Sequence, residues 1–154
     1  RGWGLFGGGG GKARADPLDM SVPKHLELQS VEIAQLGQKV RELFGGGKYD
    51  EALALAEERL RLSEGVYGRE HAMTATCIND VATFEQVLGR YERAEALFEQ
   101  ASKMQRKLLG DTHPHSIATL QNLAALYSAR GDAPKAEAMR LLVEALSQAA
   151  APPG

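Results

Sequence analysis

The chain has 154 residues, 44% of them hydrophobic, and a formal net charge of −2. That length allows one modest domain with a core, and the near-neutral balance excludes the broad basic field a nucleic-acid binder needs. The one cysteine, Cys77, excludes an internal disulfide framework, and no uncharged apolar run approaches the roughly 20 residues of a transmembrane helix.

Residues 1–24 form a glycine- and aromatic-bearing arm, RGWGLFGGGGGKARADPLDMSVPK. Glycine loses much backbone entropy on ordering, so the free arm is expected to be extended. Trp3, Leu5 and Phe6 alternate with glycines that permit close approach to a surface, and such side chains make good anchors. The arm reads either as a tether laid against a partner or as a segment folded back on its own chain. A cleaved leader would leave a start such as Arg1, which gives an organelle interior, chloroplast or mitochondrion, a slight edge as location. The runs GGGGGK (7–12) and GGGK (45–48) fail the phosphate-loop pattern. Phe6 and Glu42 stand where it needs glycine, and Ala13 and Tyr49 where it needs Ser or Thr.

Residues 25–149 carry apolar residues at helical spacing, and the pattern repeats. Gly47, Gly89 and Gly131 are 42 apart; Ala52, Ala94 and Ala136 keep the same step. The spacing predicts three helical hairpins: 25–44 with 48–63, 70–88 with 91–108, and 115–130 with 133–149. Glycine supplies the left-handed backbone at each stop, and Pro134 suits the first turn of a helix. In the first copy, Lys39 and Glu42 stand where later copies have Val81 and Phe84. A one-residue slip there would restore Leu36, Val40, Leu43 and Phe44 as the apolar stripe. One hairpin cannot bury its stripe alone, so about three are needed for stability. Residues 150–154 form a proline-rich tail that ends the last helix.

The segment Leu109, Gly110, His113, Pro114, then Thr119, Leu120, Asn122, Leu123, Ala124, Leu126, Tyr127 and Gly131, resembles the tetratricopeptide repeat. Within that family it resembles the 42-residue subclass typified by kinesin light chains. Residues 67–82 keep Tyr67, Gly68, His71, Thr76, Asn79 and Ala82 but lack the proline. The heptad-rich segment of a motor light chain is absent from this sequence. The resemblance implies an all-α, right-handed α-solenoid of three helix-turn-helix hairpins, preceded by the extended arm. His113 and His115 then belong to the loop between the second and third hairpins. The alternative, a zinc site completed by His71, lacks a Cys or carboxylate at diagnostic spacing.

In such arrays the first helix of each hairpin lines the inner groove. By register the resemblance places Asn79, Asp80, Thr83 and Gln86 there in the second copy. In the third it places Gln121, Asn122, Ala125 and Ser128. Amides offer donor and acceptor together, so Asn79 and Asn122 could pair with the backbone of an extended peptide, or they could serve only helix–helix contacts. No Lys/Arg clamp for a C-terminal carboxylate occupies these positions. Cys77 sits among apolar residues without the basic, open setting of a reactive thiol, and no acid–base or nucleophile constellation assembles. The sequence therefore reads as a non-enzymatic interaction scaffold that needs no cofactor and holds a protein partner. The alternative is an accessory subunit of a photosynthetic or respiratory assembly, tethered by its arm.

Overall fold

A computed structural model describes residues 16–152; Trp3, Leu5 and Phe6 of the arm lie outside the described residues. The described residues hold a short 3-10 turn, Lys24–Leu26, and six α-helices. These are α1 (Glu27–Gly45), α2 (Tyr49–Tyr67), α3 (Ala72–Val87), α4 (Tyr91–Leu109), α5 (Pro114–Ala129) and α6 (Ala133–Ala150). Each helix packs on the next in sequence, and α3 also meets α5 directly. The result is an all-α helical-repeat solenoid of three hairpins, α1–α2, α3–α4 and α5–α6.

The helices form because their buried residues recur on one stripe. In α4 these are Ala94, Phe98, Ala101, Ser102 and Gln105. Ala52, Ala94 and Ala136, each at most 1% exposed, lie in the core clusters between the helices. Two sets of glycines close the turns. Gly47, Gly89 and Gly131 have φ of 75°, 81° and 83°, and Gly68 and Gly110 have φ of 96° and 97°. A side chain in that region is strained, so only glycine reverses the chain there without cost.

The histidines of the connecting loops are helix caps. His71 Nδ1 accepts from the Met73 N–H at 2.9 Å, and His113 Nδ1 accepts from the His115 N–H at 3.0 Å. Thr74 and Ser116 donate their hydroxyls to the carbonyls of Gly68 and Gly110 at 2.7 and 2.8 Å. The two loops are thus one device used twice, which satisfies backbone groups that a helix start and a preceding helix end leave open. His71 carries a further duty. Its Nε2 donates to the Asp19 carbonyl at 2.9 Å, and the Ala72 N–H donates to the Pro17 carbonyl at 3.2 Å. These bonds strap the segment before α1 across the α2–α3 loop. Tyr67 stacks on the His71 ring at 4.7 Å.

Two expectations are corrected. The second helix runs on to Tyr67, because its terminator is Gly68 with its positive φ; Gly65 remains helical. The slip in the first copy does not exist. α1, α3 and α5 end at Gly45, Val87 and Ala129, an unbroken step of 42. Val81 and Phe84 pack with Val40, Ala52, Leu53 and Ala56 of the preceding hairpin. Leu123 and Leu126 likewise pack with Ala82, Ala94 and Phe98. Lys39 and Glu42 hold the same register on α1, where no earlier hairpin is present among the described residues, and both are exposed. No described helix packs over that face of α1, so both charges stay in solvent.

Candidate protein-binding groove

The first helices of the hairpins share one face: α3 and α5 touch, and α1 and α3 line a common trough. That trough has a volume of about 410 Å³. Val40, Phe44 and Phe84 give it apolar walls, and Thr76, Asp80 and Thr83 add polar edges. Its charged centre comes from a second helix. Arg59 of α2 reaches between α1 and α3, donating Nε–H to the Ile33 carbonyl at 2.9 Å and Nη1–H to Asp80 Oδ2 at 3.2 Å. Gly37 makes this possible: a Cβ there would stand 3.0 Å from the guanidinium carbon. Burial pushes the Asp80 carboxyl above the usual carboxylate range, and the attraction of Arg59 and then Arg41 offsets part of that rise.

Asn79 and Asn122 meet at the middle of the face. Asn79 donates Nδ2–H to Thr119 Oγ1 at 2.9 Å, and Asn122 donates to Asn79 Oδ1 at 3.2 Å. Thr119 in turn donates to Gln105 Oε1. This chain ties α3, α4 and α5 together, so both asparagines serve the joint between hairpins. An amide has two donors and two lone pairs, so Asn79 keeps one N–H and one lone pair, and Asn122 keeps one N–H and both lone pairs. Thr83 donates its hydroxyl to the Asn79 backbone carbonyl at 3.0 Å and lines the trough. Gln86 is half-buried further along α3.

The other end of the face is a second trough, where Gln121 and Ser128 of α5 join Ala124, Ala125 and α6. Gln121 and Ser128 are exposed. The predicted groove residues therefore fall into three places along one face: Asp80 and Thr83 at the first trough, Asn79 and Asn122 at the joint, Gln121 and Ser128 at the second trough. Gly37, Arg41 and Phe44 were missing from the prediction. They hold the register of Asn79, Thr83 and Gln86, and an unslipped alignment of the first copy finds them. Arg59 has no such signal, because it arrives from the other helix of its hairpin.

A half-buried ion network closes the outer seam. Tyr127 donates its hydroxyl to Glu95 Oε2 at 2.7 Å, and Arg130 donates Nη1–H to Glu95 Oε1 at 2.9 Å. The Tyr127 bond, then the Arg130 bond, holds the Glu95 carboxyl below the usual range against its partial burial. Cys77 is buried, and burial pushes its thiol up. No helix among the described residues is long and apolar enough to cross a membrane.

Two tetratricopeptide-repeat family patterns match the chain, over residues 77–140 and 40–72. Among curated proteins, none matches. Solved structures share the architecture. The chain is similar to BtubC (BKLC) from P. vanneervenii, with a TM-score of 0.72 and 23% identity, covering 78% of this chain and 47% of that one. It is also similar to the nearly identical TPR-like repeats of a Podosopora anserina kinesin light chain protein, with a TM-score of 0.69 and 25% identity, covering 76% of this chain and 56% of that one. The chain thus spans about half the length of each of these structures. With the matched repeats, the 42-residue step and the glycine–histidine loops in place, the chain belongs to the tetratricopeptide-repeat proteins, of the kinesin-light-chain-like kind.

Proposed function

We propose that the chain is a non-enzymatic scaffold that holds an extended segment of a protein partner along the face of α1, α3 and α5. The observation that carries this reading is the trough between α1 and α3. It combines apolar walls with an arginine already fixed by two bonds, so a ligand is met by a preorganised surface. Asp80, Thr83, Gln86, Gln121 and Ser128 offer side-chain partners to a peptide backbone. Asn79 and Asn122 offer only what the joint leaves over. The Trp3, Leu5 and Phe6 arm would add a separate contact.

The test is selection of peptides from a random display library on the full chain, followed by amide shift mapping. Shifts centred on Thr76, Asp80 and Thr83, and loss of binding in Phe44→Ala and Thr83→Arg, are expected. Shifts confined to the outer faces of α2 and α4 would overturn the reading.

A further inference from the structure

A second groove lies away from the face of α1, α3 and α5. It runs between α4 and α6 and has a volume of about 390 Å³. Leu120, Leu123 and Tyr127 of α5 form its floor, and Met139 and Leu142 of α6 form one wall. α4 supplies the other wall with Glu99, Ser102, Lys103 and Arg106. The opening therefore lies between helices that are all in place.

Register explains why it is open. Forty-two residues before Ser102 stands Leu60, which packs with Leu97 against the cluster that holds Val81. Val81 and Leu97 correspond to Leu123 and Met139 here. Floor and wall stay apolar in both joints, and the change is from leucine to serine. The smaller side chain leaves room for an aliphatic group, and the apolar lining gains from being covered.

The polar groups give that occupant a head and a direction. Ser102 is 5% exposed, and its hydroxyl has no hydrogen-bond partner among the described residues. A buried hydroxyl without a partner favours a ligand that accepts from it. Lys103, the next residue, is exposed and forms no ion pair among the described residues. Arg106 is already held by Asp111 at 2.8 Å. The Thr119–Gln105 and Tyr127–Glu95 bonds set Leu120 toward the Lys103 end of the groove and Tyr127 toward the other. Glu99 stands at the Tyr127 end, one turn before Lys103, and repels an anion there. The rim charges are thus separated along the groove, and they orient an anionic head toward Lys103. We propose that this groove binds a linear aliphatic carboxylate, with its head between Ser102 and Lys103 and its chain over Leu123, Leu142 and Met139. The site is separate from the trough between α1 and α3, so either assignment can fail alone.

The test is titration of decanoate into the full chain, followed by methyl shifts at Leu123, Met139 and Leu142. Saturation at millimolar concentration or below is expected, with decanol and decyltrimethylammonium at least fivefold weaker. Ser102→Leu restores the residue type of the preceding joint. It should leave the melting midpoint unchanged or raised and weaken decanoate tenfold or more. Lys103→Glu, at an exposed position, should also weaken decanoate tenfold or more and reverse the preference to decyltrimethylammonium. Should Ser102→Leu lower the midpoint, Lys103→Glu decides alone. Absence of saturation, binding indifferent to these variants, or equal affinity for the three head groups would overturn the proposal. Shifts centred on Val40 and Thr83 would give the ligand to the trough between α1 and α3, and would also overturn it. So would self-association of the chain that Ser102→Leu abolishes, which would give the groove to a second copy.

Discussion

Single residues in this stack do their work through the register they occupy. Glu95 is the clearest case, since its carboxylate receives Tyr127 and Arg130 from the next hairpin. Its folded pKa is depressed, so the stability it adds is complete above the unfolded value of about 4.3 and is lost as pH falls through the lower folded value. Hydrogen bonds to a charged group contribute about 1.5–3 kcal/mol, and Glu95→Gln should remove much of that at neutral pH. Thermal melts between about pH 5 and 3 should fall more steeply for the wild type than for the variant; parallel curves would show that the seam does not depend on this charge. Glu85 presents the opposite situation. Its side chain is fully buried, neither carboxylate oxygen has a hydrogen bond, and Arg90 and Arg93 approach only to 3.6 and 3.7 Å. The same register holds Leu43 and Tyr127. Removing a buried charge whose cationic partners can return to water is often neutral or stabilising. Glu85→Leu should therefore raise the melting midpoint, by an amount worth about 1 kcal/mol. A destabilisation of several kcal/mol would show that the two arginines hold the α3–α4 turn through it.

At the level of elements, small buried residues such as Ala94 sit in the seams, and side-chain caps from His71, His113 and Asp132 fix the starts of α3, α5 and α6. Ala94 is fully buried in the seam with Phe98, Leu123 and Ala136. Ala94→Leu would overpack that crossing and cost about 1–3 kcal/mol. Helix content followed by circular dichroism should melt at a clearly lower temperature, and an unchanged curve would contradict the tight packing seen there. His71→Ala should cost about 1 kcal/mol for the lost cap of α3. It should also release the strap at Pro17 and Asp19, so amide exchange at Ala72 should accelerate more than at Ile117, four residues after the unaltered His113 cap. Equal rates would assign His71 to capping alone.

For the whole molecule, the described helices pack on their neighbours in the stack, so stability is close to a sum of neighbour terms. The amide chain from Asn122 through Asn79 and Thr119 to Gln105 crosses one joint between hairpins. Asn79→Ala with Asn122→Ala should consequently weaken the fold as well as any ligand contact. Loss of a buried bond leaves Thr119 short of a partner, at about 1–3 kcal/mol. Urea unfolding should show a lower midpoint with an unchanged slope. A variant as stable as the wild type would return both asparagines to ligand binding alone.

The sequence alone carried the all-α class, the three hairpins and their 42-residue step, because periodic apolar spacing and turn glycines are local features. It also placed Asp80, Thr83, Gln121 and Ser128 on one face, because repeat register transfers position from copy to copy. It misread the first copy, where Lys39 and Glu42 looked like a broken phase. No described helix packs over them, so their charges stay in water, and which neighbour covers a face is a fact that no local pattern contains. Tertiary structure alone decided two further points. Arg59 enters the groove from α2 because Gly37 leaves room for its guanidinium. Asn79 gives one N–H and one lone pair to the joint because α3 and α5 bring Thr119 and Asn122 within hydrogen-bonding distance, and helical periodicity specifies only the face on which such a meeting can occur.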